Sequence, residues 1–391
     1  MDLFKKCWTY TVVRDAKAAG IYPYFHELMS KQDSVVTMEG RRVIMIGSNN
    51  YLGLTSHPEV IAAAVQATEQ FGSGVSGSRF LNGTLSLHRE LERELAEFVG
   101  KEDALTFSTG FQANLGIISC IAGRNDVILC DKENHASIYS GCRLSFAEMI
   151  RYRHNDMEDL EAHLKSIPDT KGKLIVTDGV FSMGGDICHL PALVRLAKTY
   201  GARLMVDDAH GLGVLGKTGR GTLEHFGLAD EVDILMGTFS KSFASLGGFM
   251  AGKAEVVDFV RHNSHPLIFC AAVPPSNAAA ALQALKVLKR EPARLTALLG
   301  IAEYVRAGLK RRGVAIRETA TPIIPIYTGE VERTIRTCCE LFRRGVYVNP
   351  VIPPATPPHE CLIRISCTAA HTEPLMDEAM DIIADVLKDI G

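Results

Sequence analysis

The chain has 391 residues, a formal net charge of −3 and an ordinary share of apolar and charged side chains. It is long enough to bury a large core with a cleft between lobes, and its dispersed Lys and Arg residues give no basic field for nucleic acid. Ten cysteines occur without one CxxC, which argues against a zinc or disulfide framework and for reduced thiols; no metal site is expected.

The amino terminus, Met1-Asp2-Leu3-Phe4-Lys5-Lys6, never builds the apolar centre of a signal peptide. Residues 1–50 read as an arm ending in a hairpin, with Ser34 to Gly40 and Arg42 to Ile46 as its strands and a Glu-Gly turn between them. Residues 51–275 read as a large domain. In it Leu87, Leu91, Leu95 and Phe98 recur at helical spacing, and apolar runs at Leu105-Phe107, Val127-Cys130, Leu174-Thr177, Leu204-Val206 and Ile234-Met236 are separated by helix-length segments. That alternation predicts an α/β domain, a mainly parallel sheet with helices on both faces. Pro274-Pro275 introduces an Ala-rich helix too short to span a bilayer, and residues 276–391 read as a small α+β C-terminal domain with strand-like runs at Ile323-Ile326 and Cys361-Ser366. A cytoplasmic location is expected, with peripheral contact at the inner face of the membrane left open.

Ligands of open parallel sheets bind beyond the carboxyl ends of the strands, and each run above ends in chemistry. Ile234-Leu235-Met236 delivers Lys241 among Thr238, Ser240, Ser242 and Ser245, with Gly247-Gly248 beyond. Hydroxyls and bare backbone suit a phosphate, and a lysine among them suits a Schiff base; the cofactor that needs both is pyridoxal 5′-phosphate. An ordinary lysine at a strand end is the bland alternative. Leu105-Phe107 leads into Ser108-Thr109-Gly110-Phe111-Gln112-Ala113-Asn114, where helix-start amides would hold phosphate, or where the helix is simply capped. Val127-Cys130 runs on to His135, a flat imidazole that could stack on a pyridine ring or lie on the surface. Leu204-Val206 ends at Asp207-Asp208-Ala209-His210; a buried Asp207 would stabilise a protonated ring nitrogen, and His210 could reach the ring hydroxyl. Asp178 and Ser182 follow Leu174-Thr177 and are further candidates around that hydroxyl. Gly72-Ser73-Gly74-Val75-Ser76-Gly77 satisfies GxGxxG, the feature behind a remote NAD-binding oxidoreductase reading. It follows a helical stretch, Val60 to Val65, and runs on into a loop, which is the wrong context for a dinucleotide.

Six segments in order, Ser48 to Leu54, Gly77 to Thr84, Ser108 to Asn114, Asn134 to Ile138, Val206 to His210 and Gly237 to Ser242, resemble the α-oxoamine synthases over nearly the whole chain. The FSKS around Lys241 and the run Arg151-Tyr152-Arg153-His154-Asn155 resemble the bacterial branch that joins serine to a long-chain acyl thioester. The resemblance implies a fold-type I pyridoxal phosphate transferase with a seven-stranded sheet, a homodimer with active sites at the subunit interface. Its implied reaction condenses an amino acid, L-serine first, with acyl-CoA or acyl-ACP. The products would be a 3-keto amine such as 3-ketodihydrosphingosine, the free carrier and CO2. Cysteate, glycine and alanine are alternative amino acids, and a non-catalytic subunit of this fold would not need Lys241. By resemblance Lys241 would bind the cofactor and move protons, His135 would stack on the ring and orient the substrate carboxylate, Asp207 would pair with the ring nitrogen, and His210 would contact the ring oxygen. Thr238, Ser240 and the amides of Gly110 and Phe111 would hold phosphate, and Arg364 and Asn50 would bind the amino acid, Arg364 through its planar fork. Cys270-Ala271-Ala272 stands where relatives place hydroxyls for the partner subunit's phosphate, which puts that contact in question.

Overall fold

The computed structural model describes residues 1–390. The chain forms two compact units, Asn49–Leu299, and Met1–Ser48 together with the chain from Gly300 onward.

In the second of these units, β1 (Val35–Met38) and β2 (Arg41–Met45) are antiparallel with Met38 opposite Arg41. That register leaves a two-residue turn, and both Glu39 and Gly40 take positive φ, 47° and 76°, as the right-handed twist of a hairpin demands.

The unit Asn49–Leu299 is built on seven strands. In chain order they are β3 (Asp103–Phe107), β4 (Asp126–Asp131), β5 (Glu148–Tyr152), β6 (Gly172–Asp178), β7 (Arg203–Asp207), β8 (Ile234–Thr238) and β9 (Gly248–Gly252), in the spatial order β3-β9-β8-β7-β6-β4-β5. The runs from β4 to β8 pair in parallel, whereas β9 is antiparallel to both neighbours. The expected mainly parallel, helix-covered sheet is therefore present. Alternate residues of each strand feed two different cores: Val127, Leu129, Ile175, Leu204 and Val206 face one side, and Ile128, Cys130, Leu174, Val176 and Met205 the other. The first core is closed by Leu91 and Leu95 of the helix Ser86–Val99, by the helix Leu190–Tyr200 and by Ala278 to Leu288 of the helix Pro275–Arg290. The second is closed by the helices Gly110–Ile121 and Ala136–Leu144. Burial on both faces explains why these strands read as continuous apolar runs. The Ala-rich helix expected to leave the large domain at 276 packs inside this unit.

The remaining strands are β10 (Ile323–Gly329), β11 (Val346–Tyr347), β12 (Asn349–Val351) and β13 (Cys361–Ser366); β13 lies between β10 and β12 in an antiparallel sheet, and β11 extends the hairpin beside β2. No helix among the described residues is long and apolar enough to cross a membrane.

Candidate active site

A cavity of about 270 Å³ opens at the carboxyl ends of β6, β7 and β8, just under the usual range for small-molecule sites. Its walls include Lys241, His135, Asp207, His210, Gly110, Phe111, Thr238 and Ser240. The fold thus brings to one place eight of the residues singled out from the sequence. Asp178, Asn114, Ser137, Thr109 and Leu246 complete much of the lining.

Each group is held by its local structure. Thr109 caps the helix Gly110–Ile121 by accepting from the Gln112 amide at 3.0 Å; the amides of Gly110 and Phe111, in the first turn, have no carbonyl one turn earlier in the helix to meet. A Cβ on Gly110 would stand 2.7 Å from Thr238 Oγ1, so only glycine lets this helix end approach the β8 turn. Thr238 Oγ1 lies 2.9 Å from Ser240 Oγ and donates to the Gly247 carbonyl at 3.0 Å. The lysine turn is pinned on both sides of Lys241: the Ala244 amide donates to the Lys241 carbonyl, the Ser245 amide to Phe239, and Ser242 Oγ to Leu212.

Asp207 ends β7 and is 5% exposed. Its Oδ2 accepts from Asn114 Nδ2 at 2.7 Å and its Oδ1 from the Ala209 amide at 3.0 Å. Asn114 also donates to Ser137 Oγ at 2.8 Å. Next to Asp207 in register is Asp178. Its Oδ2 accepts from the His135 amide at 3.1 Å, while Oδ1 is buried without a hydrogen-bond partner. Burial pushes the Asp178 carboxyl well above the usual range, the charge of Asp207 adds to the rise, and Lys241 opposes it. His135 caps the helix Ala136–Leu144, with Nδ1 2.7 Å from Ser137 Oγ. Burial lowers its pKa, Asp207 works against that and Lys241 with it, so the ring is neutral near pH 7.

Two candidates lie outside the cavity lining and a third belongs to the other unit. Ser182 follows the end of β6 but is not among the lining residues. Asn50 is 6% exposed and shapes its own turn, donating to Thr55 Oγ1 at 2.7 Å and accepting from the Leu54 amide at 3.0 Å. Arg364 sits in the central strand β13, 4% exposed, and donates to Ser366 Oγ at 2.6 Å; it is a buried cation, not a surface charge. Asn114, Ser137 and Asp178 are the lining groups to which sequence reasoning gave no role or only a loose one. The signal for Asn114 was its place in the Ser108 to Asn114 segment, which carried no separate role for it. The GxGxxG stretch follows the helix Pro58–Phe71 and doubles back on itself: a Cβ on Gly77 would fall 1.9 Å from Asn82 Oδ1. That is not a strand-to-helix phosphate turn. The Cys270-Ala271-Ala272 segment meets the chain's own loops, with Ala272 N donating to Gly77 O at 3.0 Å and Ser108 Oγ to Ala271 O.

A strand-end amine, two carboxyls, two imidazoles, paired hydroxyls and a helix start at close approach fit pyridoxal 5′-phosphate, and with this sheet they define a fold-type I pyridoxal phosphate enzyme. The family model for aminotransferase class I and II matches residues 41–383. The chain is 50% identical over 379 residues to a serine palmitoyltransferase of Sphingobacterium spiritivorum, covering 97% of this chain and 95% of that protein. It is 41% identical over 380 residues to the 8-amino-7-oxononanoate synthase of Thermoanaerobacter pseudethanolicus, covering 97% of this chain and 96% of that protein. Among solved structures, a serine palmitoyltransferase variant from S. paucimobilis with a bound PLP-myriocin aldimine superposes with a TM-score of 0.96 at 37% identity, over 100% of both chains. The Sphingomonas wittichii serine palmitoyltransferase does so with 0.96 at 38% identity, over 100% of this chain and 99% of that one. The chain belongs to the aminotransferase class I and II family and, within it, to the α-oxoamine synthases, acyltransferases whose cofactor is pyridoxal phosphate.

Proposed function

We propose that this enzyme condenses L-serine with a long-chain acyl thioester, on CoA or acyl carrier protein, to a 3-keto amine with loss of CO2. The observation that carries the choice of serine is the 50% identity to a serine palmitoyltransferase across 97% of the chain. Bound here, pyridoxal phosphate supplies an aldehyde that condenses with an amine and a ring that takes up the electron pair of a bond broken at the amino acid's α carbon.

The chain's residues do the rest. Lys241 holds the cofactor through its amine and, once displaced by serine, takes the α proton on Nζ. Asp207, oriented by the two N–H donors on its oxygens, would pair with the ring nitrogen and stabilise positive charge there. His135, kept neutral by burial, covers the ring face without adding a second cation. Gly110 and Phe111 amides with Thr238 and Ser240 hydroxyls grip phosphate, and His210 and Ser182 serve the ring oxygen. Arg364 and Asn50 take the serine carboxylate. His135 would orient the substrate carboxylate, and that orientation would decide whether the α proton or CO2 leaves.

A homodimer is part of this reading. Phe111 and Leu246 line the cavity yet are 47% and 48% exposed, and Phe80, Leu81 and Phe269 lie exposed on the same unit; such uncovered apolar groups suit a partner surface. A cytoplasmic enzyme touching the membrane periphery for its acyl substrate is consistent with exposed Leu3, Phe4 and Trp8 beside Lys5 and Lys6.

The test supplies serine, glycine, alanine and cysteate in turn with palmitoyl-CoA and with acyl carrier protein, measuring thiol release and the long-chain product. Serine-dependent 3-keto amine is expected; turnover with another amino acid and none with serine overturns the substrate assignment. Lys241→Ala should abolish turnover and the borohydride-trapped cofactor peptide, and full activity in that variant would end the mechanism.

A further inference from the structure

Asn114 lies one turn beyond Gly110 on the helix Gly110–Ile121 and is completely buried. The helix start that would hold phosphate and this amide therefore share one helix face. Nδ2 of Asn114 carries two protons and both are engaged, one by Asp207 Oδ2 at 2.7 Å and one by Ser137 Oγ at 2.8 Å. Oδ1 of the same amide is buried without a hydrogen-bond partner, so the group is turned for the sake of its nitrogen. Reversed, it would set its oxygen against the Asp207 carboxylate oxygen, two acceptors in contact. The helix Ala136–Leu144, which carries Ser137, packs closely on this turn: a Cβ on Gly141 would stand 2.9 Å from the Asn114 carbonyl oxygen.

The direction set by Asn114 continues through Ser137. Its hydroxyl accepts from Asn114 and stands 2.7 Å from His135 Nδ1, and its backbone N–H donates to the same ring nitrogen at 3.3 Å. A backbone amide only donates, so a proton on Nδ1 would meet it head-on. Nδ1 is accordingly the acceptor, the hydroxyl proton turns toward it, and the proton of the neutral imidazole belongs to Nε2. We propose that Asn114 is a positioning residue whose single NH2 group aims the Asp207 carboxylate and, through the Ser137 hydroxyl, helps to hold His135 as an Nε2–H donor. The two groups that flank the cavity would then be set by one side chain on the helix that also cradles phosphate. The proposal rests on the reading above that Asp207 pairs with the cofactor's ring nitrogen and that His135 orients the substrate carboxylate.

Binding measurements test the arm toward Asp207. The probes are pyridoxal phosphate and its deaza analogue, which has C–H in place of the ring nitrogen, titrated into the full chain. Asn114→Leu keeps the branched outline of the side chain and removes both donors; Asn114→Ala removes the same donors and repeats the comparison if the leucine variant does not fold. The wild type should hold pyridoxal phosphate more tightly than the analogue. The variant should lose about tenfold in affinity for pyridoxal phosphate and none for the analogue, which offers Asp207 nothing to pair with. Equal losses for both probes, with the wild-type preference intact, would mean that Asn114 only fills space and would overturn the proposal while the Asp207 reading stands. A wild type that holds both probes equally would sink the Asp207 reading and this arm with it. Nitrogen NMR of 15N-histidine-labelled protein without cofactor, above pH 7, tests the arm toward His135, whose signals are those absent from His135→Gln. Nε2 should be protonated and Nδ1 bare in the wild type, and Ser137→Ala should admit a fraction of the other tautomer. A wild-type signal with Nδ1 protonated overturns this arm outright. An unchanged signal in folded Ser137→Ala gives the choice to the backbone amide alone and overturns the route through the hydroxyl.

Discussion

Removing the guanidinium of Arg79 should destabilise the protein more than almost any other single change near the surface. Arg79 grips Glu92 with both arms, Nη1 to Oε1 at 2.7 Å and Nη2 to Oε2 at 3.0 Å, and the two side chains are only 7% and 3% exposed. Nε of the same fork donates to Thr84 Oγ1 at 3.2 Å and Nη1 to Thr106 Oγ1, so one side chain ties the Gly77 to Thr84 loop to the helix Ser86–Val99 and to β3. In Arg79→Met the stem still fills its space, but Glu92 is left as a buried charge whose remaining ion pair is the longer one to the exposed Arg89, 3.7 Å from Oε2. Breaking such a pair from one side costs about 3–5 kcal/mol. Glu92 keeps the Thr106 amide at 2.9 Å and hydroxyl at 3.0 Å as donors, which places the loss near the lower figure, about 3 kcal/mol. Adding Glu92→Gln removes the stranded charge while leaving an oxygen for the Thr106 amide. The double variant should therefore recover about 2 kcal/mol of that loss. Urea unfolding of the cofactor-free protein, followed by circular dichroism, measures all three. A single variant within about 1 kcal/mol of wild type, or a double variant no more stable than the single, would refute the argument.

Two further changes probe the folded state and the cofactor cradle. His371 is buried between the Met45 carbonyl, 3.0 Å from Nε2, and the Thr368 amide, 3.1 Å from Nδ1, and burial brings its pKa down to about 4. The unfolded chain binds this proton near pH 6.5 and the folded chain does not, so stability is complete above that pH and falls as pH drops toward 4, by up to about 3 kcal/mol. Urea midpoints should decline across that window, and His371→Gln should flatten the decline; an equal slope in both proteins would count against the assignment. Gly110→Ala sets two effects in opposition: alanine in a helix is intrinsically better by about 1 kcal/mol, yet its Cβ meets Thr238 Oγ1 at 2.7 Å and Thr238 Cβ at 2.9 Å. Titration with pyridoxal phosphate should show affinity at least about tenfold weaker, a loss near 1.4 kcal/mol, and undiminished affinity would mean that the close approach has no role in holding phosphate.

Much of the site was legible because strand-end chemistry follows directly from pattern. The runs ending at Asp207 and Thr238 and the run before His135 are buried on both faces, so their apolar stretches stop where the sheet stops and the first polar residues fall at its edge. The misses have physical causes. β9 is five residues long with glycine at each end, Gly248 and Gly252, and a Cβ on Gly248 would meet Gly110 Cα at 2.6 Å, so its apolar run is cut to Phe249-Met250-Ala251. β5 is an edge strand, paired only with β4, and its Glu148 and Arg151 are exposed, which breaks the apolar run. Asn114 acquires its meaning from Asp207, 93 residues away, and Tyr51 from His210, 159 residues away; neither separation leaves a local trace. The grouping of the N-terminal arm with the chain beyond Gly300 is likewise a tertiary fact, since the β2 to β11 pairing joins residues some 300 positions apart.

The neighbouring carboxyls at the ends of β6 and β7 explain how a cavity this small can hold so many ionisable groups. Asp178 and Asp207 are register partners on adjacent parallel strands, close enough that two negative charges would repel strongly in a poorly solvated site. The fold separates them by what it offers each. Asp207 has the Asn114 and Ala209 donors, one on each oxygen, whereas Asp178 has the His135 amide on one oxygen and nothing on the other. Burial and the charge of Asp207 therefore push the Asp178 carboxyl toward its neutral form. His135 follows the same rule with the sign reversed, its positive form suppressed by burial and by Lys241. Both shifts work against extra charge in the cavity, and Asp207 is the carboxyl toward which the donors converge. A ring cation placed against Asp207 would meet a carboxylate whose two oxygens are already oriented by N–H donors.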